Sequence, residues 1–185
     1  MPHIKTINYE ESEGELREAY DSIIGARGKL AEVHKIQSLN PPALLAHLDL
    51  YKAVMFGKSP LKRYQREMMA VVVSAANKCR YCIGHHKEAL DFYWKDPARS
   101  GRLAAQFDLP DLSAADRELC KLARNLSLLP GGVSKASVEQ LRQTGLDDRA
   151  ILDAVQVIAY FNFVNRMVLA LGVEFNEEEV KGYNY

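Results

Sequence analysis

This sequence of 185 residues has no excess of positive or negative charge and no long apolar segment. The 24 basic side chains balance the 24 acidic ones, and no run of like charge stands out. Proteins that bind nucleic acids or anionic membrane surfaces usually carry such runs, so the sequence predicts neither kind of partner. The longest apolar run is too short to span a bilayer, and Met1–Lys5 lacks the apolar segment of a secretory signal. We therefore expect a cytoplasmic protein.

Cysteine is scarce, and the distribution of the three cysteines is informative. Three is too few, and an odd number, for the disulfide framework of a small secreted protein. Cys79 and Cys82 form a CxxC pair, and in a reducing compartment such a pair usually binds a metal or takes part in catalysis. Cys120 has no partner nearby in the sequence, so we expect it to be a small buried hydrophobic residue.

Strand signals are nearly absent, whereas helix signals recur along the whole chain. Apolar residues are spaced three and four apart, and the intervals between these segments carry serine, proline and glycine at the positions that begin and end helices. The sequence predicts an all-α fold that forms a single domain over residues 1–185. The first forty residues or so, and the tail from about residue 177, are expected to be peripheral.

Two capping boxes and one proline support particular helix starts. Ser12 with Glu15 predicts a helix over about residues 13–24, and Ser113 with Asp116 predicts one that runs to about Leu128. Ser59-Pro60 predicts the start of a helix over Leu61–Ala76, because proline is tolerated in the first helical turn.

The helix that follows this segment contains the cysteine pair. Asn77-Lys78 is a predicted break, and a new helix is expected from about Cys79 to Tyr93. A long last helix, from about Asp148 to Leu171, is apolar on more than one face, which predicts a central position or a subunit interface.

Two thiols and an imidazole form a stripe on the predicted helix. Cys79 and Cys82 are three residues apart, a spacing that permits a disulfide at a helix start, and His86 lies on the same face one turn further on. If Asn77-Lys78 is a break, Cys79 lies at the helix N-terminus, where unpaired N–H groups lower the pKa of a thiol. Redox chemistry is the leading hypothesis for the segment.

Glu67 could complete this set of residues if the chain reverses at Asn77-Lys78. On one continuous helix Glu67 and Cys79 would be about 18 Å apart and could not cooperate. In an antiparallel hairpin Glu67 would instead come level with His86, and its carboxylate would orient the imidazole. The result would be a proton relay from Glu67 through His86 to a cysteine.

The spacing of Glu67, Cys79, Cys82 and His86 resembles the E-x11-C-x2-C-x3-H motif of AhpD-type alkylhydroperoxidases, in the carboxymuconolactone decarboxylase-like superfamily. The resemblance implies an AhpD-like helical fold with a redox CxxC at the start of a core helix. It also implies a peroxidase that uses no haem, flavin or metal cofactor and assembles as a homo-oligomer. Tyr81 departs from the best-known members, which have a histidine between the cysteines, and His85 is an additional imidazole.

The same resemblance implies a role for each residue of the motif. Cys82 would be the peroxidatic thiol that becomes a sulfenic acid, and Cys79 the resolving thiol that forms a disulfide with it. Glu67 and His86 would relay the proton. A thioredoxin-like or lipoyl-bearing protein would then reduce the disulfide.

Two other classes of function stay open on the sequence alone. Cys79, Cys82 and His86 are acceptable zinc ligands, which would make the chain a metal-binding or structural module. The chain could also carry out decarboxylase-like or other proton-transfer chemistry in which the cysteines play no part.

His34 and His47 stand alone on amphipathic segments and are predicted to be ordinary surface or interface residues. Asn162 and Asn165 are predicted to have structural rather than chemical roles.

Overall fold

The computed structural model describes residues 1–181, and this part of the chain contains nine α-helices, two short 3₁₀-helices and no β-strand. The α-helices are α1 (Gly14–Arg27), α2 (Glu32–Lys35), α3 (Pro41–Phe56), α4 (Arg63–Ala76), α5 (Arg80–Trp94), α6 (Pro97–Gln106), α7 (Ala114–Leu128), α8 (Lys135–Gln143) and α9 (Asp148–Ala170). The 3₁₀-helices are Tyr9–Glu11 and Pro130–Gly132. The prediction of an all-α fold is confirmed.

Helix α4 lies at the centre of the molecule and contacts α5, α6, α7 and α9. Every residue from Gln65 to Ser74 is buried, so this helix has no solvent-facing side. Several of its buried polar atoms are paired: Gln65 Nε2 donates to Asp116 Oδ1 at 2.7 Å, and Arg66 Nη1 donates to the carbonyl of Met55 at 2.8 Å. Pairing of this kind avoids the cost of burying an unsatisfied polar group.

The long last helix packs on α3, α4 and α7, but it is less enclosed than α4. One side of α9 contributes Val157, Ile158 and Phe161 to the core, while Leu152 and Phe163 on other sides are about half exposed. Even this helix, with 23 residues, is not a candidate for a membrane span. Within residues 1–181, no helix has both the length and the apolar character needed to cross a bilayer.

The predicted helix starts are partly correct. Ser113 Oγ accepts a hydrogen bond from the N–H of Asp116, as the capping box predicts. The prediction for Ser12 is wrong, because its hydroxyl donates to the carbonyl of Tyr9 instead and the helix begins at Gly14. The same helix continues through Gly25 to Arg27.

The prediction that Ser59-Pro60 begins a helix is also wrong. Helix α4 starts at Arg63, and the Ser59 hydroxyl accepts a hydrogen bond from the N–H of Leu61 within the preceding turn.

The N-terminal region has a small core of its own. Leu16, Tyr20 and Ile23 of α1 pack against Leu44 and Leu48 of α3, apart from the main cluster formed by α4 and its neighbours. The peripheral position of the first forty residues and the single-domain organisation both stay predictions.

The tail is closer to the rest of the chain than predicted. Glu179 accepts hydrogen bonds from the Tyr81 hydroxyl at 2.6 Å and from the N–H of Glu32 at 2.9 Å, and Val180 is buried. The C-terminal segment up to Lys181 is therefore attached to α5 and α2. The aromatic end of the tail, residues 182–185, lies outside the described residues.

Gly84 in the middle of α5 is the place where this C-terminal segment touches the helix most closely. A Cβ at position 84 would overlap the ring of Phe175, whereas a Cβ at Gly101 in α6 would meet only Lys87 Cε, at 3.7 Å. Both glycines are inside helices, where alanine is intrinsically more favourable.

We expect Gly101→Ala to stabilise the protein by about 0.5–1 kcal/mol, and Gly84→Ala to lose this gain because Phe175 must move. Urea unfolding measures the two free energies, and limited proteolysis should show faster cleavage near Phe175 in Gly84→Ala only. Equal stabilisation by both substitutions would show that the C-terminal segment does not pack on α5 in solution.

Candidate active site

A reversal of the chain between α4 and α5 brings the motif together. Asn77 ends α4, and Lys78 has a left-handed backbone conformation with φ of 58°. The N–H of Cys79 then donates to the carbonyl of Ser74 at 2.9 Å. The Asn77 amide donates to Asn162 Oδ1 at 2.9 Å and to Asn165 Oδ1 at 3.0 Å, which ties the turn to α9. The predicted break and antiparallel hairpin are both present.

The two cysteines lie at the start of α5 with their sulfur atoms 3.0 Å apart. Cys79 is the residue just before the helix and Cys82 is in its first turn. Both side chains are buried, with 0% and 3% exposure. At this distance one thiol donates a hydrogen bond to the other.

The hydrogen bond affects the two thiols in opposite directions. The hydrogen bond with the Cys82 thiol, together with the backbone N–H of Cys82, lowers the pKa of Cys79 despite its burial. The hydrogen bond to Cys79 and burial raise the pKa of Cys82 well above its usual range, and a side-chain hydrogen bond from Asn165 only partly opposes this.

Glu67 and His86 meet across the hairpin. The ring Nδ1 of His86 lies 2.7 Å from Glu67 Oε2, and the other carboxylate oxygen accepts a hydrogen bond from Arg63 Nη2 at 2.9 Å. Glu67 is 1% exposed at its side chain. The His86 ring also packs edge-on against Phe161, with centroids 4.3 Å apart. These contacts fix the imidazole in one orientation, as a proton relay requires.

A cavity of about 70 Å³ connects the relay with one of the two thiols. Cys82, Glu67 and His86 line it together with side chains of α1, α3 and α9. Cys79 instead borders a groove on the other side of α5, between Lys78 and Phe175. The structure thus brings all four predicted residues together and gives the two thiols different surroundings.

Two histidines that the sequence suggested were ordinary surface or interface residues are in fact buried beside this cavity. His34 is 8% exposed and His47 is 6% exposed, and burial lowers the pKa of His34 to about 3 and that of His47 to about 4. The prediction that they are surface or interface residues is wrong, because the sequence around a lone histidine does not reveal which residue it contacts in the folded chain. The partner of His47 is Tyr160, which is 113 residues away in the sequence and 2.6 Å away from His47 Nε2 in space.

Asn165 has the structural role that the sequence predicts, and it also contacts one of the cysteines. It is 0% exposed, accepts a hydrogen bond from Asn77, donates one to Ser74 Oγ at 3.3 Å and contacts Cys82. The break in the apolar pattern of α9 was the available signal, but the sequence does not show that this position faces the cysteines.

The remaining residues of interest lie around the motif. His85 packs on Tyr81, with ring centroids 4.4 Å apart, and faces Glu179 rather than Glu67. Cys120 is buried in α7, where burial strongly raises the pKa of its thiol. In residues 1–181 no group of three or more histidine, cysteine, aspartate or glutamate side chains has an arrangement that could hold a metal ion.

Comparison with known proteins agrees with the motif and the fold. The carboxymuconolactone decarboxylase family matches residues 41–91, from α3 to α5. An uncharacterized peroxidase-related protein from Silicibacter sp. TM1040 is 30% identical over 90% of this chain and 87% of its own, with a TM-score of 0.82. No match was found among curated proteins.

Two further solved structures share the fold at lower identity. An uncharacterized peroxidase-related protein with an alkylhydroperoxidase AhpD core, from Ralstonia eutropha JMP134, has a TM-score of 0.86 and 24% identity over 97% of this chain and 94% of its own. The debrominase Bmp8, solved in complex with 2,3,4-tribromopyrrole, has a TM-score of 0.79 and 18% identity over 94% of this chain and 91% of its own.

The fold and the motif define a class of all-helical proteins with a CxxC pair beside a buried carboxylate and imidazole. The chain belongs to the same family as the peroxidase-related protein from Silicibacter sp. TM1040, and its residues 41–91 match the carboxymuconolactone decarboxylase family.

The neutral state of His47 makes stability depend on pH. Its pKa is about 4 in the folded protein and 6.5 in a model peptide, so between these values the unfolded chain binds a proton that the folded chain does not. Protonation of His47 therefore leaves the unfolding free energy unchanged above pH 6.5 and lowers it as the pH falls towards 4.

We expect His47 to account for a loss of about 2 kcal/mol in unfolding free energy between about pH 7.5 and about pH 5. Urea unfolding of the wild type and of His47→Gln measures it, because glutamine does not titrate but still offers an amide to Tyr160. The variant should lose about 2 kcal/mol less than the wild type over this range. Parallel pH profiles would contradict a neutral buried His47.

Proposed function

We propose that the protein is a thiol-dependent peroxidase that reduces hydroperoxides, with Cys82 as the peroxidatic thiol. The observation that carries this proposal is that Cys82 shares a cavity with the Glu67–His86 pair while its sulfur lies 3.0 Å from that of Cys79. A nucleophile, a proton relay and a second thiol are the three groups that such a reaction uses.

In the first step His86 accepts the proton of the Cys82 thiol, and the Glu67 carboxylate stabilises the charged ring. This help is required because the hydrogen bond to Cys79 and burial hold the pKa of Cys82 well above its usual range. The thiolate attacks the terminal oxygen of the peroxide, so that an S–O bond forms and the O–O bond breaks. Cys82 is oxidised to a sulfenic acid, and the leaving alkoxide or hydroxide takes up a proton to become an alcohol or water.

In the second step the Cys79 thiolate attacks the Cys82 sulfur. An S–S bond forms, the S–O bond breaks, and the leaving hydroxide takes up a proton to become water. The lowered pKa of Cys79 supports this role, because the resolving thiol must be ionised when the sulfenic acid forms. The short distance between the sulfurs means that the disulfide needs little movement of the backbone.

The cycle ends with reduction of the disulfide by an external dithiol, for which we propose a thioredoxin-like or lipoyl-bearing protein. Cys79 borders an outer groove, and this makes it the sulfur nearer to such a donor. We also propose a cytoplasmic homo-oligomer, in which half-exposed apolar side chains such as Leu152 and Phe163 of α9 would be covered.

We expect consumption of hydrogen peroxide or tert-butyl hydroperoxide, with dithiothreitol as reductant, to depend on Cys82. Stopped-flow assays should show the rate of Cys82→Ser falling to that of buffer, while Cys120→Ser, a buried thiol outside the cavity, retains the wild-type rate. Undiminished turnover in Cys82→Ser would remove the mechanism.

The intermediate separates the roles of the two thiols. One equivalent of peroxide should give an intramolecular disulfide in the wild type and a sulfenic acid at Cys82, trapped by dimedone, in Cys79→Ser.

Stoichiometric zinc in freshly purified protein would instead favour the metal-binding alternative. An activity that survives replacement of both cysteines by alanine would favour proton-transfer chemistry of the decarboxylase type.

The relay gives a separate prediction. Glu67→Gln keeps the shape of the side chain but removes the charge that stabilises the His86 imidazolium, so the rate of peroxide reduction should fall by about 10²-fold. Asp116→Asn is the matched control, because Asp116 is also buried and accepts a hydrogen bond from α4, yet does not line the cavity. Equal losses in the two variants would indicate a general effect of removing a buried carboxylate.

A further inference from the structure

A second imidazole and a phenol face the cavity that contains Cys82. His47 of α3 and Tyr160 of α9 both line it, and both are 6% exposed. Cys82 lines the same cavity, so the Tyr160 hydroxyl and the thiol face a common space. Neither His47 nor Tyr160 is a member of the Glu67–His86 pair described above.

The hydrogen bonds around His47 fix the direction of the Tyr160 hydroxyl. Gln37 Nε2 lies 2.7 Å from the carbonyl oxygen of Val33, which can only accept, so this atom is the amide nitrogen. The same nitrogen lies 2.8 Å from His47 Nδ1, closer than Gln37 Oε1 at 3.1 Å. The ring nitrogen Nδ1 is therefore the acceptor, and the ring proton is on Nε2.

This tautomer leaves the hydrogen of Tyr160 free to point into the cavity. His47 Nε2–H donates to the Tyr160 oxygen at 2.6 Å, so the hydroxyl cannot also donate to that nitrogen. In the described part of the chain, the hydroxyl has no other hydrogen-bond acceptor. Burial raises the pKa of Tyr160 well above its usual range, so the hydroxyl keeps its proton at neutral pH.

We propose that Tyr160 is the catalytic acid that protonates the leaving oxygen of the peroxide, with His47 and Gln37 as the positioning residues that aim it. The proposal rests on the peroxidase function proposed above. As the Cys82 thiolate takes the terminal oxygen, the O–O bond breaks and the leaving alkoxide receives the Tyr160 proton. The tyrosinate is stabilised by His47 Nε2–H and regains a proton from the His86 imidazolium, which holds the proton of Cys82. Overall, thiol and hydroperoxide give sulfenic acid and alcohol.

The test compares two oxidants with different leaving groups. tert-Butyl hydroperoxide releases a strongly basic alkoxide, whereas peracetic acid, freed of hydrogen peroxide by catalase, releases acetate and needs no proton. In Tyr160→Phe the rate constant for Cys82 oxidation by tert-butyl hydroperoxide should fall by about 10²-fold, and that for peracetic acid should be nearly unchanged. Tyr64→Phe is the control, because the Tyr64 hydroxyl donates to Asp116 away from the cavity and its loss should alter neither rate.

The peracid also reports on folding, because a variant that has lost the active site reacts slowly with both oxidants. If Tyr160→Phe is unstable, the double variant His47→Leu/Tyr160→Phe removes both members of the hydrogen bond and should show the same selective loss. An equal change with both oxidants, or no change with the hydroperoxide, would overturn the role of Tyr160 while leaving Cys82 chemistry in place. A wild type that reacts no faster than Cys82→Ser with either oxidant would overturn the peroxidase function and this role together.

Discussion

The reversal of the chain at Asn77 and Lys78 is the constraint on which the candidate active site depends. A lysine in the left-handed conformation costs about 1–2 kcal/mol. The turn offsets this cost with backbone bonds to the end of α4 and with the Asn77 amide, which bonds to Asn162 and Asn165 of α9. Because the turn is anchored to a third helix, the angle between α4 and α5 is fixed. Glu67 lies ten residues before Asn77 and His86 lies nine residues after it, so the reversal places the two side chains opposite each other.

The hairpin also explains why two neighbouring thiols differ. Cys79 lies just before the helix, where its hydrogen bond with the Cys82 thiol and the backbone N–H of Cys82 lower its pKa. Cys82, one turn in, lines the cavity together with Glu67 and His86, and the hydrogen bond to Cys79 and burial raise its pKa well above its usual range. In the mechanism that we propose, the sulfur that meets the peroxide is activated by the relay, and the sulfur that resolves the sulfenic acid is activated by its place at the helix start.

Local patterns in the sequence identified the centre of this site but not its surroundings. The break at Asn77-Lys78 and the spacing of Glu67 and His86 follow from helix geometry, so the hairpin could be predicted. Capping was less reliable, because a serine such as Ser12 can satisfy a nearby carbonyl instead of a helix N-terminus. The His47–Tyr160 contact could not be predicted, since it joins residues 113 positions apart on helices whose packing is set by the whole core.

The two histidines at the cavity differ in what their partners allow. His86 faces a buried carboxylate, and in the proposed mechanism this carboxylate stabilises the ring after it has taken a proton from the thiol. His47 faces only neutral partners, the amide of Gln37 and the hydroxyl of Tyr160, and burial keeps its pKa at about 4. A ring of this kind holds its proton on one nitrogen and orients a neighbour rather than storing charge. One side of the cavity is therefore suited to accept a proton and the other to direct one, and both functions follow from whether a carboxylate lies beside the ring.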